Sequence, residues 1–141
     1  MRPRHGERGS TLAETAIVMG VLLALTLGIM DFGRALYTYS FVANAAREGA
    51  RWAIVRGSQC TLLDHCPAQP GSSDIQPYVQ SLSEGATTAS NITASLSFPS
   101  GSNAPGSVAE VTVTYPFAFV APFLSKLGFK MQSTSEMVIS N

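Results

Sequence analysis

The chain has 141 residues, with 9 Lys and Arg against 9 Asp and Glu, so its formal net charge is zero. That balance gives no electrostatic case for nucleic-acid binding, and the length allows at most one small globular domain beside a long helix. The 13 % of charged residues are unevenly spread, and a strongly apolar stretch nearly free of them lies close to the amino terminus.

Arg2, Arg4 and Arg8, offset only by Glu7, precede twenty-one residues from Ser10 to Met30 that hold a single charge, Glu14. At 1.5 Å per residue a helix of this length reaches about 31 Å, which matches a hydrocarbon core of roughly 30 Å. An ordinary signal-peptide core of about 7 to 15 apolar residues is shorter. The arginines place the amino terminus on the cytoplasmic side and the remainder of the chain outside. A carboxylate inside a bilayer costs roughly 2.5 to 3.5 kcal/mol on insertion scales, so Glu14 either has a functional partner or snorkels to the headgroups one turn from the helix end. Its place in the first turn also favours an anion, because the helix macrodipole is positive there.

Ala16, Gly20, Ala24 and Gly28 recur every fourth residue. This small-xxx-small ridge lets helix backbones approach closely in lipid, although small residues are frequent in membrane helices anyway. Tyr37 and Tyr39 follow the span, where interfacial aromatics are enriched.

No proline occurs between Arg4 and Cys66, so one helix is expected over residues 10–56, about 70 Å long, with Gly57 as its C-cap. In its outer half Phe32, Leu36, Tyr39, Ala43, Ala46, Ala50 and Ala53 follow a four-three heptad spacing. An amphipathic helix results, its alanine-rich seam packing on the downstream domain, with Arg34, Asn44, Arg47, Glu48 and Arg51 off the seam. Asp31 and Glu48 interleave Arg34, Arg47, Arg51 and Arg56, which reads as a solvated face.

Cys60 and Cys66 bracket a five-residue loop containing Asp64 and His65. Outside the cytoplasm a close even pair most simply forms a disulfide, which is favoured over a metal site because the spacing fits no standard zinc pattern. From Asp74 to Glu84, Ile75, Val79 and Leu82 fit a short helix capped by Gly85. Ile92, Ala94, Leu96 and Phe98 alternate with Thr93, Ser95 and Ser97 as a half-buried strand. Turn residues from Pro99 to Ser107 lead into a second strand, with Ala109, Val111, Val113 and Tyr115 on one face. A third strand, from Phe129 to Ile139, sets Phe129, Met131, Met137 and Ile139 against Lys130, Gln132, Thr134 and Glu136. The intervening 116–127 segment is apolar beyond what a connection needs. Core filling, with a short helix from Pro122 to Leu127 capped by Gly128, is favoured over an exposed patch because so small a domain lacks apolar volume elsewhere.

The expected fold is therefore α+β: a long N-terminal helix and a small head with a roughly three-stranded antiparallel sheet. Boundaries fall at 1–9 for a leader, 10–30 for the membrane helix, 31–57 for its amphipathic extension and 58–141 for the head. An enzyme is not expected, since the only histidines are His5 and His65 and no nucleophile motif stands beside a second one. The triplet Asp31-Phe32-Gly33 lacks the other strings of a kinase, and Asn91-Ile92-Thr93 is an isolated sequon.

Gly9-Ser10-Thr11-Leu12-Ala13-Glu14 resembles the processing site of the type IV pilin superfamily. Asp31-Phe32-Gly33-Arg34-Ala35 and Asn44-Ala45-Ala46-Arg47-Glu48-Gly49-Ala50-Arg51 resemble the hallmarks of one branch, the TadE-like minor pilins or pseudopilins of the tight-adherence (Flp) pilus. Thr15 departs from the aromatic common after the glutamate in that family. The resemblance implies cleavage between Gly9 and Ser10 by a prepilin peptidase. It makes Glu14 the assembly glutamate, pairing with the amine freed at Ser10 of a neighbouring subunit. It implies other pilins and inner-membrane assembly proteins as partners, with lipid around the helix, and no cofactor, metal, nucleic acid or small-molecule substrate. The protein would sit in the bacterial inner membrane with its head periplasmic or extracellular, or enter the fibre. Two alternatives stand beside this reading: an unprocessed single-pass anchor with a ligand-binding head, and a secreted binding protein cut near Thr26-Leu27-Gly28.

Overall fold

The computed structural model describes residues 6–58, 70–83, 88–121, 124 and 127–140. Helix α1 runs from Gly6 to Ile54 without interruption, about 74 Å at the standard rise. It ends two residues short of the expected boundary, in a turn where the Arg56 N–H donates to the Ala53 carbonyl.

Helix α2 spans Ser72–Ser81, beginning two residues before the expected start and stopping at Leu82, ahead of Gly85. The Asp74 carboxylate accepts the Gly71 N–H at 2.8 Å and satisfies one of the free donors of the first turn. Pro77 lies inside α2 on its exposed side, a position the apolar spacing gave no reason to anticipate.

Strands β1 (Thr93–Ser97), β2 (Val108–Phe117) and β3 (Phe129–Val138) form an antiparallel sheet in the order β1-β2-β3. The expected alternation is present on β1 and β2 and beyond the start of β3: Ala94, Leu96, Ala109, Val111, Val113 and Met131 are buried, while Thr93, Ser95, Gln132 and Thr134 face out; Phe129, expected on the covered face, is 46 % exposed where β3 begins. Strand β2 runs on through Pro116, which sequence reasoning placed in the connection. The last β1 pair is Thr93 with Thr114, so beyond it β2 has only β3 as neighbour, and a residue without an N–H is tolerated there. The turn between β1 and β2 holds Gly101 and Gly106 at positive φ, a conformation that favours glycine.

The outer half of α1 lies across the inner face of the sheet, with α2 beside it. Val42, Ala45, Ala46, Ala50 and Ala53 join Ile75, Val79, Ile92, Val111, Val113 and Ile139 in one core. Each fully buried valine or isoleucine contributes about 1.5 to 3 kcal/mol. Small residues let the helix come close. At Gly49 a Cβ would stand 2.9 Å from Val111 Cγ1 and 3.2 Å from Ile75 Cδ1, so only glycine fits without displacement of the neighbours. On β3 the matching inward residues are Ser133 and Ser135.

The expected seam is correct at its outer end and wrong near the membrane. Ala46, Ala50 and Ala53 are buried, but Phe32 is 65 % exposed and Tyr39 59 %, with Leu36 exposed between them. The covered stripe is rotated by one residue, through Asp31, Ala35, Thr38, Val42, Ala45 and Gly49. Two of its members are polar, and an apolar template passes over them. Thr38 is accommodated by donating its hydroxyl to the Arg34 carbonyl at 2.9 Å.

Helix α2 also covers the outer edge of β1 through side chains. Gln76 donates to the Ile92 carbonyl and accepts the Ala94 N–H, both at 2.6 Å, and Ser72 Oγ accepts the Leu96 N–H at 3.0 Å. The i, i+4 spacing of Ser72 and Gln76 matches alternate residues of the strand. An open edge that could recruit another chain is thereby occupied.

Candidate functional site

Along residues 9–26 every side chain of α1 is exposed, and the apolar window of this helix is uncovered by the rest of the described chain. By length and composition the helix can cross a membrane. The hydroxyls of Thr15 and Thr26 bond back to the Thr11 and Leu22 carbonyls at 2.8 Å, which satisfies them without water. Glu14 has no such recourse. It is exposed and makes no hydrogen bond or ion pair among the described residues, so any partner for its charge lies elsewhere.

Gly9 and Ser10 sit on the same helix, exposed, one turn before Glu14. Ala16, Gly20 and Ala24 are exposed and Gly28 half-buried. A Cβ added at Gly20 or Gly28 meets nothing within 4 Å, so packing among the described residues gives no reason for glycine at either position. Cys60 and Cys66, with the disulfide or metal site they would form, lie outside the described residues, as does most of the expected 122–127 helix.

The head is tied to the helix at the first residue after the span. Asp31, only 2 % exposed, accepts the Ala121 N–H at 2.8 Å and the Val120 N–H at 3.0 Å. Arg34 donates to the same carboxylate at 3.0 Å, and its guanidinium carbon stands 5.5 Å from the centre of the Phe117 ring. The hydrogen bonds from Ala121 and Val120, assisted by Arg34, hold the Asp31 carboxyl below its usual pKa. Desolvation opposes them, but the hydrogen bonds prevail.

This clamp joins residues about 90 positions apart, which sequence reasoning missed. The sequence reading sets Asp31 in a family-like string and on a solvated face with Glu48 and the arginines, whereas the structure buries it. The available signal was a carboxylate directly beyond an apolar span, where an unpaired charge is costly. Its partners are backbone groups, and they leave no trace in side-chain spacing.

Phe117, Phe119 and Phe129 cluster beside the clamp with ring centres 5.3 to 5.7 Å apart. Phe117 and Ala121 are buried and Phe119 partly so, in line with core filling, while Val120 and Leu127 are exposed. Among the described residues no group of three metal-ligating side chains converges.

Comparisons with curated proteins and with solved structures gave no match. A family model described as "TadE-like protein" matches residues 9–51. The matched segment contains Glu14, the clamp residues Asp31 and Arg34, and the tightly packed Gly49, while the sheet lies beyond it. The long apolar helix that continues unbroken into the core helix of a small α+β head is thus, over residues 9–51, similar to TadE-like proteins.

Proposed function

We propose that the protein is a minor pilin or pseudopilin of a tight-adherence pilus, cleaved between Gly9 and Ser10, with Glu14 as the pin that sets its register among neighbouring subunits. One observation carries the reading: Glu14 is a carboxylate on an uncovered apolar helix and has no partner among the described residues. Cleavage frees an α-amino group at Ser10, one helical turn before Glu14. In a low dielectric, the amine of one subunit and the carboxylate of the next attract strongly only when they meet, and a misregistered subunit leaves both charges unpaired. The TadE-like match supports pilus components as partners.

In this reading residues 1–9 are a leader on the cytoplasmic side, 10–30 cross the inner membrane, 31–57 extend the helix and 58–141 form an extracytoplasmic head. The ridge of Ala16, Gly20, Ala24 and Gly28 is the face on which neighbouring helices pack. Intact mass of membrane-extracted protein, from cells with and without the cognate peptidase, tests the cleavage. Loss of residues 1–9 only where the peptidase is present is expected, and their retention in its presence overturns the proposal. Glu14→Ala is expected to be cleaved yet to abolish piliation, and normal pili on that variant overturn the pin.

A further inference from the structure

We propose that the membrane-proximal end of the head is seated in the lipid headgroup layer, with Val120, Leu127 and Phe129 entering the bilayer interface beside Phe32.

The height of this surface follows from the clamp. Val120 donates to Asp31, the residue directly after Met30, so the head touches the helix at the level where the apolar span ends. Phe129 pairs with Phe117 across the sheet, and Phe117 lies under Arg34, one turn above Asp31. The ends of β2 and β3 therefore reach down to the same level. There Val120 is 57 % and Leu127 59 % exposed, and Phe129 and Phe32 are exposed beside them. An apolar surface at that height continues the exposed side chains of the span itself, whose last residue, Met30, is also exposed.

Charge distinguishes lipid from a protein partner. Among the described residues the sole acid at this level, Asp31, is buried and fully engaged, while Arg34 and Lys130 stay accessible to anionic headgroups. On the outer face of the sheet the acids lie at the opposite end, where Glu110 is paired with Glu136. Six residues of strand separate Glu136 from Lys130, about 20 Å. The cationic end of that face thus points to the bilayer and the anionic end away.

The experiment uses the full chain in vesicles of phosphatidylcholine and phosphatidylglycerol, with lipids brominated in the acyl chain close to the headgroup. Native Trp52 is the sole tryptophan and lies about 33 Å along the helix beyond Met30, so its emission is expected to be unaffected. With Trp52→Phe as background, Leu127→Trp and, separately, Val120→Trp are expected to lose most of their fluorescence to the bromolipid. A Leu22→Trp variant in the same background checks the span on which this inference rests. Quenching at position 22 together with none at 127 and 120 overturns the seated head and leaves the anchor intact, whereas no quenching at 22 overturns both. Protection from bromolipid and from aqueous iodide alike, present only at high protein-to-lipid ratio, would assign the surface to a second copy and overturn the proposal.

Discussion

The two halves of α1 share one unbroken backbone but answer to different surroundings. Along residues 9–26 every side chain is exposed, and no neighbour among the described residues selects a face. From Asp31 to Ala53 one stripe is covered by the sheet and α2, and the residue required at each position follows from what it touches. Gly20 and Gly49 display the contrast: a Cβ at the first meets nothing, whereas at the second it collides with Val111. The same residue type is thus fixed by internal packing in one half, while in the other the described residues place nothing against it.

Substitutions can break this comparison. Gly49→Val forces branched carbons against Val111 and Ile75 and should cost about 3 kcal/mol, read from chemical denaturation of the full chain in detergent by Trp52 fluorescence. A loss below about 0.5 kcal/mol would mean that the helix does not approach the sheet as closely as described.

Asp31→Asn tests the junction between the halves. One oxygen of the carboxylate becomes an amide N–H₂ that opposes the backbone N–H groups, so the amides of Val120 and Ala121 should exchange much faster in the variant. Unchanged protection would refute the clamp. The acid limb of stability follows from the same contact. Because folding lowers the pKa of Asp31, the ionised form stabilises the fold above the unfolded value of about 3.9, and this contribution disappears as pH falls through the lower folded value. The wild type should lose stability in that window, and the difference between it and Asp31→Asn should shrink there.

Gln76→Ala leaves the Ala94 N–H without its partner and the Ile92 carbonyl with only the long bond from Gln80 at 3.5 Å, and should cost about 1 to 2 kcal/mol in the same denaturation assay. A neutral result would show that water replaces the glutamine at the β1 edge. The smallest effect belongs to the membrane half. Gly20→Val should leave head stability within about 0.5 kcal/mol of the wild type, yet reduce piliation if the ridge is where helices pack. A destabilised head would show that the halves are not independent.

Much of the fold was legible because period and burial coincide. Strands with one covered face alternate, so Ile92 to Leu96 and Ala109 to Val113 revealed their inward sides, and the alanines at 46, 50 and 53 revealed the outer helix seam. Apolar spacing misleads where polar residues occupy covered positions and apolar ones are exposed, at Asp31, Thr38, Phe32 and Leu36. Near a membrane, exposure to lipid removes the penalty that elsewhere drives apolar side chains inward, so hydrophobicity no longer reports which face is covered. The edge contacts of Gln76 and the clamp of Asp31 were invisible for another reason. Both recognise backbone groups, which every residue carries.

The amino-acid order by itself determined the apolar span, the isolated Glu14 within it, the long helix and three alternating strands, because each rests on local spacing and on the cost of exposing or burying particular side chains. Tertiary structure alone decided which face of the helix meets the head, that Gly49 has to be glycine, and that Asp31 holds the chain 90 residues onward. Those outcomes depend on what lies opposite each residue, and no pattern along one strand of sequence encodes a neighbour that folding has yet to bring near.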